Sequence, residues 1–256
     1  MKKIKNIVLM IILLFIWIVL YLFVVNKDKI ANQKSVSQYI LINQFTCWRY
    51  TNSKWTSLSY ATDEFNTSKE LNWKKYDIYI QNQYYKTLDY VVKDGKEFYF
   101  DDNTHSYEIN DEKIMFNKGS YLKLKDFNQS ELTSDDEVII GNILNKYKIS
   151  DENLTVKDKY VIENDAALYV VSNYTGSYPV DSKNMFSLVF YRKNNINYVL
   201  IKNGFIEHVN SYRLAFVVDA KNKFDNFIIS ATCESGPCYW MYEYHKGKYT
   251  NMNETV

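Results

Sequence analysis

The feature that most constrains this chain is an apolar run near its N-terminus. The nineteen residues from Ile7 to Val25 include no charge, no glycine and no proline. As a helix they would extend roughly 28 Å, close to the ~30 Å hydrocarbon thickness of a bilayer. Backbone amides in lipid have to be satisfied within the segment, which a helix achieves. The run therefore predicts a transmembrane helix from Ile7 to Val25, with Trp17 near its middle.

The charges on either side of this run predict its orientation. Lys2, Lys3 and Lys5 precede it, whereas the polar stretch 26–37 that follows carries a mixture of charges. Positive residues favour the cytoplasmic side. We therefore expect a cytoplasmic tail (1–6), a membrane anchor (7–25), a polar stalk (26–37) and a body outside the cytoplasm, in a single-pass protein of the cell membrane.

A cleaved signal peptide is the alternative interpretation of the same N-terminal pattern. Signal peptides usually have a shorter apolar region, about 7–15 residues, which ends at a small-x-small site. Ser35 and Ser37 fit that site, but they lie ten and twelve positions beyond Val25. The run therefore favours an uncleaved anchor.

The composition of the predicted body argues against a nucleic-acid partner. Residues 28–256 contain 27 basic and 30 acidic residues, and the lysines are scattered. Proteins that bind a phosphate backbone normally present a basic face. We therefore expect no nucleic-acid partner. The expected partners are the membrane, through the anchor, and an envelope glycan or a membrane protein.

The body has the composition and the patterning of β-sheet. The chain has 24 Tyr and 14 Phe, with only 7 Gly and 2 Pro, and aromatic residues are enriched in strands. Residues 38–133 predict a β-meander lobe, in which Asp94-Gly95 lies between two alternating runs and is typical of a tight hairpin turn.

A second β-rich lobe is predicted from residue 134 to residue 256. Ser134 and Glu137 have the spacing of a capping box, and apolar residues then recur at helical intervals as far as Tyr147. Seven runs of 5–8 residues follow without a helical pattern between them, which indicates an antiparallel sheet. The expected fold is thus one transmembrane helix and a mostly antiparallel β (α+β) extracytoplasmic region.

Residues 216–252 resemble the strand-loop-strand-hairpin units of exported bacterial proteins of unknown function, of the FG-GAP kind. Those units carry a D-x-D-x-D-G calcium loop. The matching positions here are Asp219, Lys221, Lys223 and then Phe224. Ammonium groups replace two of the three oxygen ligands, so the resemblance implies no calcium site. It also implies no activity, and we predict no cofactor or metal.

The two cysteines that flank a four-residue loop, Cys233 and Cys238, predict a disulfide-closed hairpin in an exported protein. A reduced, buried pair is the alternative. A zinc site that adds Cys47 and His245 is disfavoured, because structural zinc normally uses two closely spaced ligand pairs. Cys47 lies between apolar neighbours and is expected in the core.

An aromatic-dense region directly after the stalk contains Trp48, Trp55 and Trp73. If exposed, these rings could stack on sugar rings as a binding platform. Aromatic pairs also stabilise sheets across neighbouring strands, and core packing is the favoured interpretation of the region as a whole.

No catalytic motif emerges from the sequence, and we predict that the protein is not an enzyme. The leading hypothesis is a binding or interaction module for an envelope polymer or a partner protein. One alternative is a structural accessory subunit held by a membrane complex through the anchor helix. Another is an extracytoplasmic hydrolase whose acids, such as Asp63, Glu64 and Glu70, lie apart from any recognised motif.

Overall fold

A computed structural model gives the fold of most of the chain. It describes residues 14–18, 21, 37–43, 46–58, 75–80, 82–93, 97–100, 113–149, 154–173, 186–202, 210–221, 224–233 and 236–253. Within the predicted anchor, residues 14–18 and 21 are helical and Trp17 is 68% exposed. Ile7, Val25 and Trp73 lie outside the described residues. In the part of the chain that the structure describes, no helix has both the length and the apolar composition needed to cross a membrane.

In its described residues the body consists of strands and one helix, α1. The elements are β1 Gln38–Asn43, β2 Thr46–Thr51, β3 Lys54–Ser57, β4 Lys75–Ile80, β5 Gln83–Lys93, β6 Glu97–Phe100, β7 Lys113–Asn117, β8 Lys123–Lys125, β9 Asn128–Ser130, α1 Ser134–Tyr147, β10 Val156–Glu163, β11 Ala166–Ser172, β12 Ser187–Lys193, β13 Ile196–Lys202, β14 Asn210–Asp219, β15 Asn226–Cys233, β16 Gly236–His245 and β17 Lys248–Asn251.

These strands form three antiparallel sheets. Sheet 1 has the order β3-β2-β1-β7-β4-β5-β6, sheet 2 the order β17-β16-β15-β14-β8, and sheet 3 the order β13-β12-β11-β10-β9. The short strands β8 and β9 are consecutive in sequence, yet they pair with β14 and β10 at the edges of two different sheets. The chain therefore passes from sheet 2 to sheet 3 between them.

The sheets and α1 stack as four layers. One apolar cluster joins sheet 1 to sheet 2, for example Trp48 to Phe216, and a second joins sheet 2 to sheet 3, for example Phe227 to Tyr191. A third cluster packs α1 on the outer face of sheet 3. Sheet 3 is thus covered on both faces, which explains why every residue of β11 is buried.

The sequence patterns predicted most of these elements. The runs assigned as strands after α1 are strands β10 to β16, the hairpin around Asp94-Gly95 is the antiparallel pair β5 and β6, and a mostly antiparallel β body is confirmed. Residues 38–43, at the start of the predicted β-meander lobe, form strand β1. The strands β8 and β9 were not predicted, because three residues are too few to show a period.

The helix begins one residue earlier than the predicted capping box implies. Thr133 is the N-cap, and its partner in the box is Asp136, so the pair is not Ser134 and Glu137. At the other end Lys148 adopts a left-handed conformation with φ 58° and ends the helix after Tyr147.

The predicted disulfide is present: Cys233 and Cys238 are bonded and join the ends of strands β15 and β16. Cys47 lies outside the disulfide and is buried in the core of sheet 1, among Tyr39 and Met115.

One carboxyl group lies in the otherwise apolar contact between sheets 1 and 2. Glu243 on β16 is 8% exposed, and the backbone N–H of Trp55 on β3 donates a hydrogen bond to it. Burial raises the pKa of Glu243 to about 7, although that hydrogen bond and the charge of Lys54 act in the opposite direction. The group is therefore neutral in the folded protein at mildly acidic pH.

We predict that Glu243→Gln stabilises the protein increasingly as pH rises above 4.5, with the full effect above about pH 7. Below the ordinary carboxyl pKa of 4.5 the side chain is protonated in both the folded and the unfolded states, so wild type and variant should match. Between 4.5 and about 7 the unfolded state releases the proton more readily, so the wild-type free energy of unfolding falls as pH rises. Above that range the variant should be more stable by up to about 3 kcal/mol.

Thermal unfolding followed by tryptophan fluorescence, from about pH 4 to about pH 8, measures this difference. Glu131→Gln, at an exposed position, is the matched control and should leave the pH dependence unchanged. A Gln variant that tracks the wild type at every pH would show that Glu243 is ionised in the folded protein.

Candidate functional site

A polar cleft opens on the face of sheet 3 that carries α1. It lies at the end of the sheet where the β10–β11 and β12–β13 turns meet, and its volume is about 510 Å³, within the range of sites that hold small molecules. Its lining consists of Lys159, Val161, Glu163, Asn164, Asp165, Ala166, Ala167, Tyr169, Arg192, Asn194 and Asn195. We call it the turn cleft.

The turn cleft exists because a small residue lies between larger ones. Ala167 on β11 pairs with Arg192 on β12 on one side and with Val161 on β10 on the other, so the three form a row across the sheet. The next row contains Tyr169, which pairs with Lys159. Neighbouring side chains in a row point to the same face. The methyl group of Ala167 therefore leaves a depression with Arg192 and Val161 at its sides.

The inner wall is held by Asp136 in the first turn of α1. Its carboxylate accepts hydrogen bonds from Lys159 Nζ at 2.7 Å, from Tyr169 Oη at 2.6 Å, and from the Thr133 backbone N–H at 2.8 Å. Burial alone would raise the pKa of Asp136, but these hydrogen bonds outweigh it and hold that pKa far below its ordinary value. This carboxylate therefore ties the helix terminus to two strands of sheet 3.

The opposite wall is Arg192, which is positioned by the β12–β13 turn. Asn194 and Asn195 both have left-handed backbones, with φ 51° and 62°, as the tightest hairpin turns require. The guanidinium donates to the Asn195 side chain at 2.9 Å, to the Asn197 side chain at 3.0 Å, and more weakly to the Asn195 carbonyl at 3.5 Å. All of these acceptors are neutral, and Arg192 has no ion pair among the described residues.

The carboxylate beside the β10–β11 turn is already paired. Glu163 lies 2.6 Å from Lys125 Nζ and 3.4 Å from Lys193 Nζ, and Lys125 also contacts Asp225 at 2.8 Å. The hydrogen bond from Lys125 and the charge of Lys193 hold the pKa of Glu163 below its ordinary value. The charge of Glu163 is therefore neutralised from within the protein.

The chemistry of the turn cleft suits binding rather than proton transfer. A general acid near neutral pH needs a raised carboxyl pKa, whereas those of Glu163 and Asp136 are lowered. Among the described residues no cluster of three or more His, Cys, Asp or Glu could hold a metal ion. The cleft offers hydrogen-bond donors on Arg192 and on the amides of its two turns, beside the carboxylate of Asp165.

The structure places Trp48 and Trp55 away from any surface. They are 0% and 1% exposed in the contact between sheets 1 and 2, and Trp48 Nε1 donates to the Asn253 side chain at 3.2 Å. Neither ring is open to a ligand, because sheet 2 covers the face of sheet 1 on which they lie. Trp48 and Trp55 are therefore not contacts of a binding platform; they belong to the core, which was the favoured interpretation of the aromatic region as a whole.

The residues of the turn cleft were not recognised from the sequence. Only the capping signal before α1 pointed to the neighbourhood of Asp136. Asn194-Asn195 between two apolar runs is a hairpin signal, but it does not indicate that Arg192 lies beside Ala167. That neighbourhood depends on strand register, which no local pattern encodes.

Comparisons with known proteins give no relative. No family model matches the chain. No curated protein and no solved structure matches it at a significant level.

We predict that Asp136→Asn destabilises the body by about 3 kcal/mol, because it leaves the Lys159 ammonium without its buried counter-charge. A loss of that size corresponds to a fall in melting temperature of roughly 8 °C. Since the folded pKa of Asp136 lies below the unfolded 3.8, its stabilisation is present above that value and is lost as pH falls.

Thermal unfolding of the full-length protein in a mild detergent tests this expectation. Asp135→Asn is the matched control, since Asp135 is an exposed residue of the same helical turn, and should cost less than about 1 kcal/mol. Equal losses for the two variants would contradict a special role for Asp136.

Proposed function

We propose that this chain is a single-pass membrane protein whose N-terminus is cytoplasmic and whose β-rich body is an interaction module outside the membrane. The observation that carries the proposal is the apolar run from Ile7 to Val25. Its described side chains are about half to two-thirds exposed, including Trp17 at 68%. Consecutive exposed apolar residues of this kind are costly in water and favourable in lipid.

The disulfide supports a location for the body outside the cytoplasm. Cys233 and Cys238 are bonded, and such bonds persist in oxidising compartments but are rare in the cytosol. The N-terminal position of Lys2, Lys3 and Lys5 supports the same orientation.

The turn cleft supports a binding role for the body. Glu163 and the neighbouring Asp136 are tied to lysines, and the open groups include the hydrogen-bond donors of Arg192 and of the turn amides. The body would thereby contact an envelope polymer or a partner protein, held at the membrane surface by the anchor and the stalk 26–37.

We predict that the full-length protein, expressed in cells, has one alkylatable thiol before reduction and three after it. Cys47 is the cysteine outside the disulfide, and the other two are bonded to each other. Acid quenching, denaturation and mass-tagged maleimide measure the count. Three thiols before reduction would place the body in the cytoplasm and would overturn the proposal.

Membrane attachment is tested with an anchor variant. Leu14→Arg combined with Trp17→Arg costs about 3 kcal/mol for each charge at the centre of a span. We expect the wild type to stay in the membrane pellet after alkaline carbonate extraction, whereas this variant is released. Leu14→Ile with Trp17→Phe is the control and should stay. Release of the wild type would show that the run does not span.

A further inference from the structure

The turn cleft contains Arg192, whose guanidinium forms no ion pair with any residue that the structure describes. A guanidinium has five N–H donors, and the described contacts of Arg192 use three of them, all with neutral acceptors of Asn195 and Asn197. In a protein, a half-buried guanidinium in this situation is suited to a planar, negatively charged acceptor. The contacts to the turn also fix its position, so little freedom is lost when an acceptor binds.

The remaining open groups of the cleft are neutral amides and the carboxylate of Asp165. Asn164 is exposed on one turn, and Asn194 and Asn195 are exposed on the other. An amide side chain both donates and accepts hydrogen bonds, which matches the hydroxyl groups of a sugar. Tyr169 is the one aromatic residue in the lining, and it is 2% exposed. The cleft therefore has no open ring among its lining residues on which a nucleobase could stack.

We propose that the turn cleft binds a carboxylated sugar unit of a glycan. Arg192 holds the carboxylate, the amides of the two turns hold hydroxyl groups, and Ala167 forms the floor on which the unit rests. Asp165, on the opposite turn from Arg192, repels a carboxylate and so sets the direction of the unit. This inference rests on the proposed function, which gives the cell envelope as the source of the glycan. It adds the chemical class of the ligand.

The volume of the cleft agrees with a ligand of this size. About 510 Å³ is more than a simple carboxylate such as acetate needs, and it falls in the range of ~300–1,000 Å³ typical of small-molecule sites. The contacts of a single sugar with donors of this kind are few and partly solvated. We therefore expect a dissociation constant on the order of 1 mM for a monosaccharide.

The test is titration of the full-length protein with D-glucuronate, followed by saturation-transfer difference NMR. The detergent is a polyoxyethylene ether, so that no detergent sugar competes. D-Glucose is the neutral match and acetate the match without hydroxyl groups. Both should bind at least about 10-fold more weakly than glucuronate, since glucose lacks the carboxylate and acetate lacks the hydroxyl groups.

Two variants locate the binding. Arg192→Gln should weaken glucuronate binding about 10-fold or more, because the charge-assisted hydrogen bonds are lost. In Ala167→Leu the larger side chain occupies the depression above residue 167 and should abolish binding. Arg213→Gln is the matched control, since Arg213 lies on β14 in sheet 2, where it donates to Ser230, and should change the affinity less than about twofold. Thermal unfolding verifies that each variant is folded. If Ala167→Leu does not fold, the result for Arg192→Gln alone tests the inference.

Absence of glucuronate binding overturns the inference, as does equal binding of glucose or acetate, or binding that survives Arg192→Gln. The assay uses purified protein, so it is independent of topology. If the protein binds glucuronate but has three thiols before reduction in cells, the site is supported and the proposed function is overturned. If it has one thiol before reduction but does not bind glucuronate, the proposed function stands and this inference is overturned.

Discussion

The architecture depends on the burial of sheet 2 on both of its faces. Alternate residues of a strand point to opposite sides, so β15 sends Ile228 towards sheet 1 and Phe227 and Ile229 towards sheet 3. In strand β14 a bulge between Leu214 and Phe216 moves the following residues to the other face. Two apolar faces need two covering layers, which sheets 1 and 3 provide. Sheet 3 is in turn apolar on its far side, and α1 closes the stack there.

The buried and half-buried ionisable groups lie where these layers end or meet. Asp136 joins the start of α1 to sheet 3, and the group of Lys125, Glu163 and Asp225 joins sheet 3 to sheet 2. Glu243 lies between sheets 2 and 1. Such groups are costly unless they are paired, and a shifted register would leave them unpaired. They therefore favour one arrangement of the layers over others of similar apolar content. The turn cleft lies beside the first two of them, so these ion pairs position its inner wall.

Features that are coded locally could be predicted from the sequence. Strands β10 to β16 were recognisable because each is a run of apolar and β-branched or aromatic residues bounded by turn residues. The helix was recognisable from its period, and the hairpin disulfide from the spacing of Cys233 and Cys238. Strands β8 and β9 were not recognisable, because three residues carry no period and their pairing partners lie far along the chain. The capping box was predicted one residue too late. Ser134 and Thr133 are both good N-caps, and the hydrogen bonds of Asp136, which the sequence does not show, determine that Thr133 is the cap.

The sequence by itself determined the apolar run from Ile7 to Val25, the β-rich character of the body and the cysteine hairpin, since each follows from residues that are neighbours along the chain. The tertiary structure decided which aromatic residues are buried and where a ligand could enter. The residues that neighbour Trp48 in sequence are the same whether its ring faces water or sheet 2. Ala167 is an ordinary strand residue in the sequence, and only strand pairing places Arg192 and Val161 on either side of it. Both outcomes depend on the register and stacking of strands that are distant in sequence, and these are set by the sum of many long-range contacts rather than by any local pattern.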